Sequence, residues 1–471
     1  MVNARKWLQQ DIGGEFAEAQ LGDPRRTKRL QCIARAAVKS PAVGFPRMVK
    51  SDTELEGVYR FLSNDNVEAS EVLEPHIAET MKRVKEVSLC LVVHDTTTFE
   101  FPGRPREGLG FTSSKNRGFH AHFALAVLPG EARIPLGVCG LENFVRKEHK
   151  GKSRKPHSYY TAQDPKRESL RWFRMLDAVE DNLDGCECIH VMDREGDIFD
   201  LMAAAVERQA RFIIRGDKER ALADGAGHLQ DVLAQLKSRA SRKVEIAARF
   251  ATKRHHLIPG RRRKVARKAR TAKVSIGSTS VDLRRPKTGH AAMKSLPINV
   301  VYVWERSPPA GEDPVEWLLV TTEPVDTTEQ LYSVVDNYRS RWVIEDFFKA
   351  LKTGCSFEKR QLESYHALTN ALGILSVVAW RMLLARAVAR AEPNASATSV
   401  FSKVQLVLLK HHLQLRKLPT TAREALLAVA RAGGHIKNNG DPGWLTIGRG
   451  FEELLLLQAG WHIAQQMAGK M

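Results

Sequence analysis

Hydrophobic and polar positions divide the chain into three kinds of stretch. Residues 1 to about 74 read as helical and basic. Leu21-Gly22 is a turn signal, Asp23 is placed to cap a helix and Pro24 to begin it. A second helix is expected over Thr53–Leu62. Val87–His94 is then apolar without alternation, as in a strand buried on both faces, and should end at Asp95. Phe123–Leu128 and Ile134–Phe144 predict strands that form a meander with it. The polar segment Ser113–Gly118 and the charged segment Arg146–Lys155 predict loops. Asp164–Asp181 predicts an amphipathic helix with Leu170, Phe173, Leu176 and Val179 on one side.

Cys188–Met192 predicts a second buried strand, ending at Asp193. A helix over Ile198–Gln209 and a strand over Arg211–Ile214, ending in Arg215, should follow. From 216 to about 326 the pattern changes to short alternating strands, at Lys243–Phe250, Ala272–Leu283, Ile298–Trp304 and Trp317–Thr322. This part also carries the densest basic run, Arg261–Lys264 through Arg267, Lys268 and Arg270. Beyond residue 366 only helices are expected, at Leu368–Arg390, Val400–Leu415, Ala422–Ala432 and Gly450 to the end.

Between the strands and these helices, Tyr338–Lys352 lacks Pro and Gly and meets a stop at Gly354, which predicts one continuous helix. At about 100° per residue, Tyr338, Arg341, Glu345, Lys349 and Lys352 share one face. Ile344, Phe347, Phe348 and Leu351 would turn to a core. One carboxylate among three cations and a phenol suits an anionic substrate held beside a metal ion; an ordinary solvated stripe of ion pairs is the simpler alternative. The acids at the two strand ends favour the first. Asp95, Asp193 and Glu345 together supply hard oxygen donors of the kind Mg²⁺ or Mn²⁺ prefers. Two such ions could activate water and stabilise the leaving oxygen of a phosphodiester.

Composition supports a polyanionic partner. The net charge is +19 over 471 residues, an excess that points to nucleic acid. A chain this long predicts two to four domains. No run of about eighteen apolar residues predicts a membrane span, and no apolar segment near Met1 predicts a secretory signal. The six cysteines form no CxxC pair, which fits a reducing cytoplasm better than a disulfide or zinc framework. The adjacent pairs His255-His256 and His411-His412 read as surface residues.

These residues together resemble the DDE transposases of the insertion-sequence-four group, of the transposon-five type. The resemblance rests on Leu21–Thr27 with Arg29-Leu30, Tyr59-Arg60-Phe61, Asp95-Thr96-Thr97, Asp193-Arg194-Glu195 with Asp197, and Trp317-Leu318-Leu319. Tyr338, Arg341, Glu345 and Lys352 stand at that group's Tyr-Arg-Glu-Lys spacing, followed by Thr353-Gly354. Ala430-Arg431, Gly433-Gly434 and Trp444 are also similar, although the last hundred residues match least. The loop Asn116–His122 departs, with Phe119-His120 where the group would have a Trp pair.

The resemblance implies an α/β fold with three parts. A helical DNA-end-binding domain would span 1–74, a ribonuclease-H-like catalytic domain 75–365 with a β-rich insertion at about 216–326, and a helical dimerisation domain 366–471. Asp95, Asp193 and Glu345 would be the catalytic and metal-binding triad, for Mg²⁺ or Mn²⁺ and two ions. Tyr338, Arg341 and Lys352 would contact DNA phosphate, joined on the same face by Lys349. Trp317 would stack on a flipped base, Arg215 would lie near the active site, and Arg26 and Arg29 would fall in the end-recognition helix. The implied reaction is strand hydrolysis, hairpin formation and opening, then transfer of the 3′ end into target DNA. A homodimer would carry it out on two transposon ends, in the bacterial cytoplasm at the nucleoid and away from membranes. A non-catalytic, transposase-derived DNA-binding protein or inhibitor is the alternative from another class; a nuclease that only hydrolyses is the alternative within this one.

Overall fold

The computed structural model describes residues 4–113, 116–146, 167–246, 266, 268–436, 442 and 444–468. It is a mixed α/β protein. Helices α1 (Ala4–Gln9), α2 (Pro24–Lys39), α3 (Phe45–Met48), α4 (Asp52–Leu62) and α5 (Ala69–Lys85) precede strands β1 (Cys90–Glu100), β2 (Gly110–Phe111), β3 (Arg117–Val127) and β4 (Pro135–Phe144). Next come α6 (Leu170–Leu183), β5 (Cys188–Met192), α7 (Phe199–Glu207), β6 (Arg211–Arg215), α8 (Leu229–Ala234), β7 (Ala240–Ile246), β8 (Arg270–Arg284), β9 (Ser295–Glu305) and β10 (Glu316–Thr321). Helices α9 (Thr328–Ser340), α10 (Trp342–Lys349), α11 (Tyr365–Ala391), α12 (Lys403–His412), α13 (Ala422–Ala432) and α14 (Trp444–Ala468) complete the chain. Two compact units emerge among the described residues: 4–146, 167–188 and 340–468 fall in the first, and 189–339 in the second.

The first unit is built on β3. β1 pairs along one side of it, antiparallel, with Asp95 opposite Phe123 and Thr96 opposite His122. β4 and the short β2 pair along the other side. β1 does not stop at Asp95, as its apolar run implied. Thr96–Glu100 extends it, because β-branched threonines suit a pleated strand and their partners Gly118–His122 belong to β3. The polar segment before β3 is correspondingly shorter. Arg117–His122 is strand, and Phe119 lies fully buried against Phe99, Phe101 and Phe357.

Helix α2 begins where its cap predicts, and α4 begins one residue before its expected start. The Asp23 carboxylate accepts the Arg25 backbone N–H at 2.8 Å ahead of Pro24, and Ser51 accepts from Glu54 N–H at 3.2 Å. Helix α11 crosses this unit as its central rod. By length and composition it could cross a bilayer, contrary to the expectation that no segment would, but its most apolar window is 83% buried in protein. It is polar where it meets its neighbours: Asn370 donates to the carbonyls of Leu62 and Val67, and the Trp380 indole donates to Pro135 O at 3.0 Å. α13 and α14 cross closely. A Cβ at Gly450 would lie 1.7 Å from the Val429 carbonyl oxygen, so this crossing needs a glycine.

The second unit holds a sheet in the order β5-β6-β10-β9-β8-β7. β5 and β6 are parallel and joined through α7; the remaining pairs are antiparallel. β10 falls inside the stretch read as inserted, yet it pairs directly with β6, with Leu319 opposite Arg215. Arg211 bridges to Glu323 at 2.6 Å beside this pairing.

Two expected helices differ in extent. The helix expected from Asp164 begins at Leu170. The helix expected over Tyr338–Lys352 is interrupted at Arg341, which caps α10, and its last part, Ala350–Gly354, is wound as a π-turn. The charged loop beyond Arg146, the residues expected to prolong β7, most of the basic run and His255-His256 lie outside the described residues. Of the basic run, Arg270 is held by Glu305 and Glu312, each at 2.6 Å.

Candidate active site

Asp95 and Glu345 are brought together by packing within the first unit. Side chains alternate along a strand, so Asp95 and its cross-strand partner Phe123 share a face. Phe123 packs against Phe347 and Phe348 of α10, with ring centroids 5.2 and 5.7 Å apart. This seats α10 over Asp95, and Glu345 lies in its first turn. The opposite face of β1 is covered by α6. His94 and His122 stack there, and Trp172 meets the His122 ring at 4.5 Å.

One guanidinium links the two acids. Arg341 donates to Asp95 Oδ2 at 2.8 Å and to Glu345 Oε1 at 2.9 Å. The second Asp95 oxygen accepts the Thr96 backbone N–H at 2.8 Å. Thr96 Oγ1 in turn bonds His122 Nδ1 at 2.9 Å and accepts from Arg171 Nε at 3.1 Å. Burial pushes the His122 imidazole down to about 3, with the Arg171 charge adding to the effect. The Asp95 segment is therefore backed by a neutral ring and braced by an arginine. Nothing in the local sequence pointed to His122 or Arg171, because the strand pairing and the α6 contact alone bring them to Thr96.

Lys352 follows on the π-turn. Its ammonium donates to Thr98 O at 2.6 Å and lies 5.5 Å from the Phe99 ring. The π-turn is anchored by buried Arg360, which donates to the Cys355 and Pro41 carbonyls, each at 2.6 Å. Such turns inside helices often accompany functional sites. Lys349 departs from this arrangement: it is exposed and reaches Asp346 at 3.4 Å.

The second unit places the other residues. Asp193 ends β5 as expected and caps a short turn, accepting the Glu195 N–H at 2.8 Å. Asp197, four residues on, is fully buried; its carboxylate accepts the backbone N–H groups of Asp217 (2.9 Å) and Lys218 (3.0 Å) and pairs with buried Arg220. Trp317 is half-buried, its ring 6.1 Å from that of Tyr338. Tyr338 itself is buried in α9, off the polar face where a single continuous helix would put it. Arg215 donates to the Glu316 carbonyl at 3.2 Å.

Arg26 and Arg29 both point back into the helical amino-terminal part. Arg26 donates to Leu21 O at 2.8 Å, and the Arg29 guanidinium lies so close to Gly57 that a Cβ there would sit 2.8 Å from it. Arg25 is the more exposed cation of that turn.

Chemically, the Asp95–Glu345 pair fits a divalent ion. Both oxygens are hard donors, and a cationic group already lies between them as a stand-in. Among the described residues, no group of three or more His, Cys, Asp or Glu gathers closely enough to hold an ion. Asp95 and Glu345 are the two acids that Arg341 joins in the first unit.

Comparison with known proteins defines the class. Residues 4–67 match the family model "Transposase DNA-binding", and residues 152–381 match "Transposase DDE domain". The chain therefore matches both the DNA-binding and the DDE model of transposases, which supports a DNA transposase. The second match includes Asp193, Trp317, Tyr338, Arg341, Glu345 and Lys352; Asp95 precedes it. Among solved structures, a piggyBac transposase synaptic complex with hairpin DNA, seen by cryo-electron microscopy, is similar at 9% identity and a TM-score of 0.37. That alignment covers 82% of this chain and 75% of the piggyBac chain.

Proposed function

We propose that this transposase belongs to the insertion-sequence-four group and moves DNA by cutting and pasting. In this reading the α/β sheets are a ribonuclease-H-like core, with Asp95, Asp193 and Glu345 as its acids. The observation that carries it is the convergence of Asp95 and Glu345 on one cationic group, from a strand and a helix that lie 250 residues apart. The three carboxylates would hold Mg²⁺ or Mn²⁺. Such ions, when bound, activate an attacking water and stabilise the leaving oxygen.

The chain's own groups do the rest. Arg341 and Lys352 carry positive charge beside Asp95 and Glu345, where a scissile phosphate would be held. The half-buried Trp317 ring, braced by Tyr338, offers a face on which a displaced base can stack, which suits a hairpin intermediate. Helix α2 lies in the DNA-end-binding part, with Arg26 and Arg29 as its proposed contacts, and Arg215 is a further proposed contact to DNA. Lys349 is a more peripheral phosphate contact. A homodimer held by the carboxy-terminal helices would bind two transposon ends and then target DNA, at the nucleoid.

The test is single replacement of each acid. Asp95→Ala, Asp193→Ala and Glu345→Ala should each abolish nicking of end-sequence DNA in Mg²⁺. Binding of the same DNA should persist, because phosphate contacts dominate affinity. Nicking by purified Glu345→Ala at the wild-type rate would refute the assignment.

A further inference from the structure

The guanidinium of Arg341 lies where a metal ion shared by Asp95 and Glu345 would have to enter. It is the most enclosed of the three side chains, at 10% exposure against 18% for Asp95 and 32% for Glu345. An arriving ion therefore meets carboxylates whose facing oxygens, Asp95 Oδ2 and Glu345 Oε1, are already engaged. Arginine cannot vacate such a site by losing a proton, since its pKa exceeds about 12. It leaves only when another anion accepts its planar fork, and a phosphate fits that fork well.

We propose that Arg341 is a placeholder cation: without DNA it holds Asp95 and Glu345 and excludes the metal ion, and a DNA phosphate draws it away so that metal can bind. This rests on the reading of Asp95 and Glu345 as metal ligands. Two states are involved, one with the guanidinium on the carboxylates and one with it on phosphate. DNA binds only the second through this side chain, and metal binds only the second through the acids. Each ligand therefore favours the state the other needs. The coupling is reciprocal: DNA raises metal affinity by the same factor by which metal raises DNA affinity. The arrangement would keep a DNA-free transposase from assembling a hydrolytic centre. It also keeps two neighbouring carboxylates from repelling each other before the ion arrives.

The experiment is Mn²⁺ titration of the full-length protein, followed by electron paramagnetic resonance of the unbound ion, with and without end-sequence duplex. Wild type, Arg341→Gln, Arg341→Lys and the double variant Arg341→Gln/Asp95→Asn are compared, and circular dichroism confirms that each is folded. Wild type should bind Mn²⁺ weakly alone and at least about tenfold more tightly with DNA. Arg341→Gln should bind Mn²⁺ tightly without DNA and gain little from adding it. Arg341→Lys should fall between, because an ammonium cannot span both carboxylates as a fork does. The double variant should lose the tight binding that Arg341→Gln created.

Equal Mn²⁺ affinity of DNA-free wild type and Arg341→Gln would overturn the placeholder. If Asp95→Asn and Glu345→Gln lower DNA-dependent Mn²⁺ binding while Arg341→Gln leaves the DNA-free value unchanged, the ligand assignment stands and the placeholder alone fails. If neither acid variant alters Mn²⁺ binding in any state, the ligand assignment itself fails, and the placeholder with it.

Discussion

Asp197→Ala should destabilise the second unit more than any change on its surface. The Asp197 carboxylate is fully buried, and Arg220 beside it is 7% exposed. Removing one partner of such a pair strands the other charge, at a cost of about 3–5 kcal/mol. The backbone N–H groups of Asp217 and Lys218 also lose their acceptor, which adds less, because both residues are exposed and water can take its place. These losses share one carboxylate and are not additive, so the expected total is about 4–6 kcal/mol. Against a typical stability of about 5–15 kcal/mol, that leaves the unit marginal. The effect should reach Asp193, because the turn Arg194–Gly196 is all that separates it from this anchor.

The assay is urea denaturation followed by circular dichroism and tryptophan fluorescence. Two companions identify the cause. Asp197→Asn keeps an acceptor but no charge and should cost less than Asp197→Ala. Adding Arg220→Met to Asp197→Ala removes the stranded charge and should recover part of the loss. If Asp197→Ala unfolds within about 1 kcal/mol of wild type, or if Arg220→Met makes the double variant worse, the buried pair is not the anchor described.

Trp317→Ala should leave the first nick intact and lower hairpin yield. Stacking of a base on an aromatic ring is worth about 1–3 kcal/mol, so nicked strand should accumulate on a denaturing gel; parallel loss of nick and hairpin would instead mark a packing residue. Acid should weaken the fold through the buried histidines. Burial pushes His122 down to about 3, helped by Arg171, and pushes His120 down to about 4, helped by Arg146. A histidine with a depressed folded value adds stability that is full above its unfolded value of about 6.5 and is lost as pH falls toward the folded value, since the unfolded chain takes up the proton first. By pH 5 the His122 ring costs about 2 kcal/mol and the less enclosed His120 ring less. The melting temperature should therefore drop between pH 7 and pH 5, and less steeply in His122→Gln; an unchanged melting temperature across that range would contradict neutral, buried rings.

Much of the candidate site was legible from residue order alone, and for local reasons. Asp23 and Pro24 announce a helix because capping is decided within four residues. Cys188–Met192 is an apolar run that ends at Asp193, where the strand gives way to a capped turn. Arg341 and Glu345 stand one helical turn apart, so their pairing follows from the helix itself.

What tertiary structure decided is everything that depends on which strands and helices become neighbours. β1 runs past Asp95 because β3 offers partners for Thr96–Glu100, 18 to 26 residues further on, and no apolar pattern at 87–94 records them. Asp95 meets Arg341 because Phe123, Phe347 and Phe348 dock α10 on that face of the sheet. The break at Arg341 and the π-turn at Ala350–Gly354 are accommodations to that docking and to the anchor at Arg360, so a helical period read along the chain passes over them. Tyr338, on the far side of that break, is buried against Trp317, while Lys349 stays on α10 with Glu345 but reaches Asp346 at its exposed end. Residue spacing fixes what a segment can form by itself, whereas contacts between segments are chosen by the burial of side chains that lie far apart in the chain.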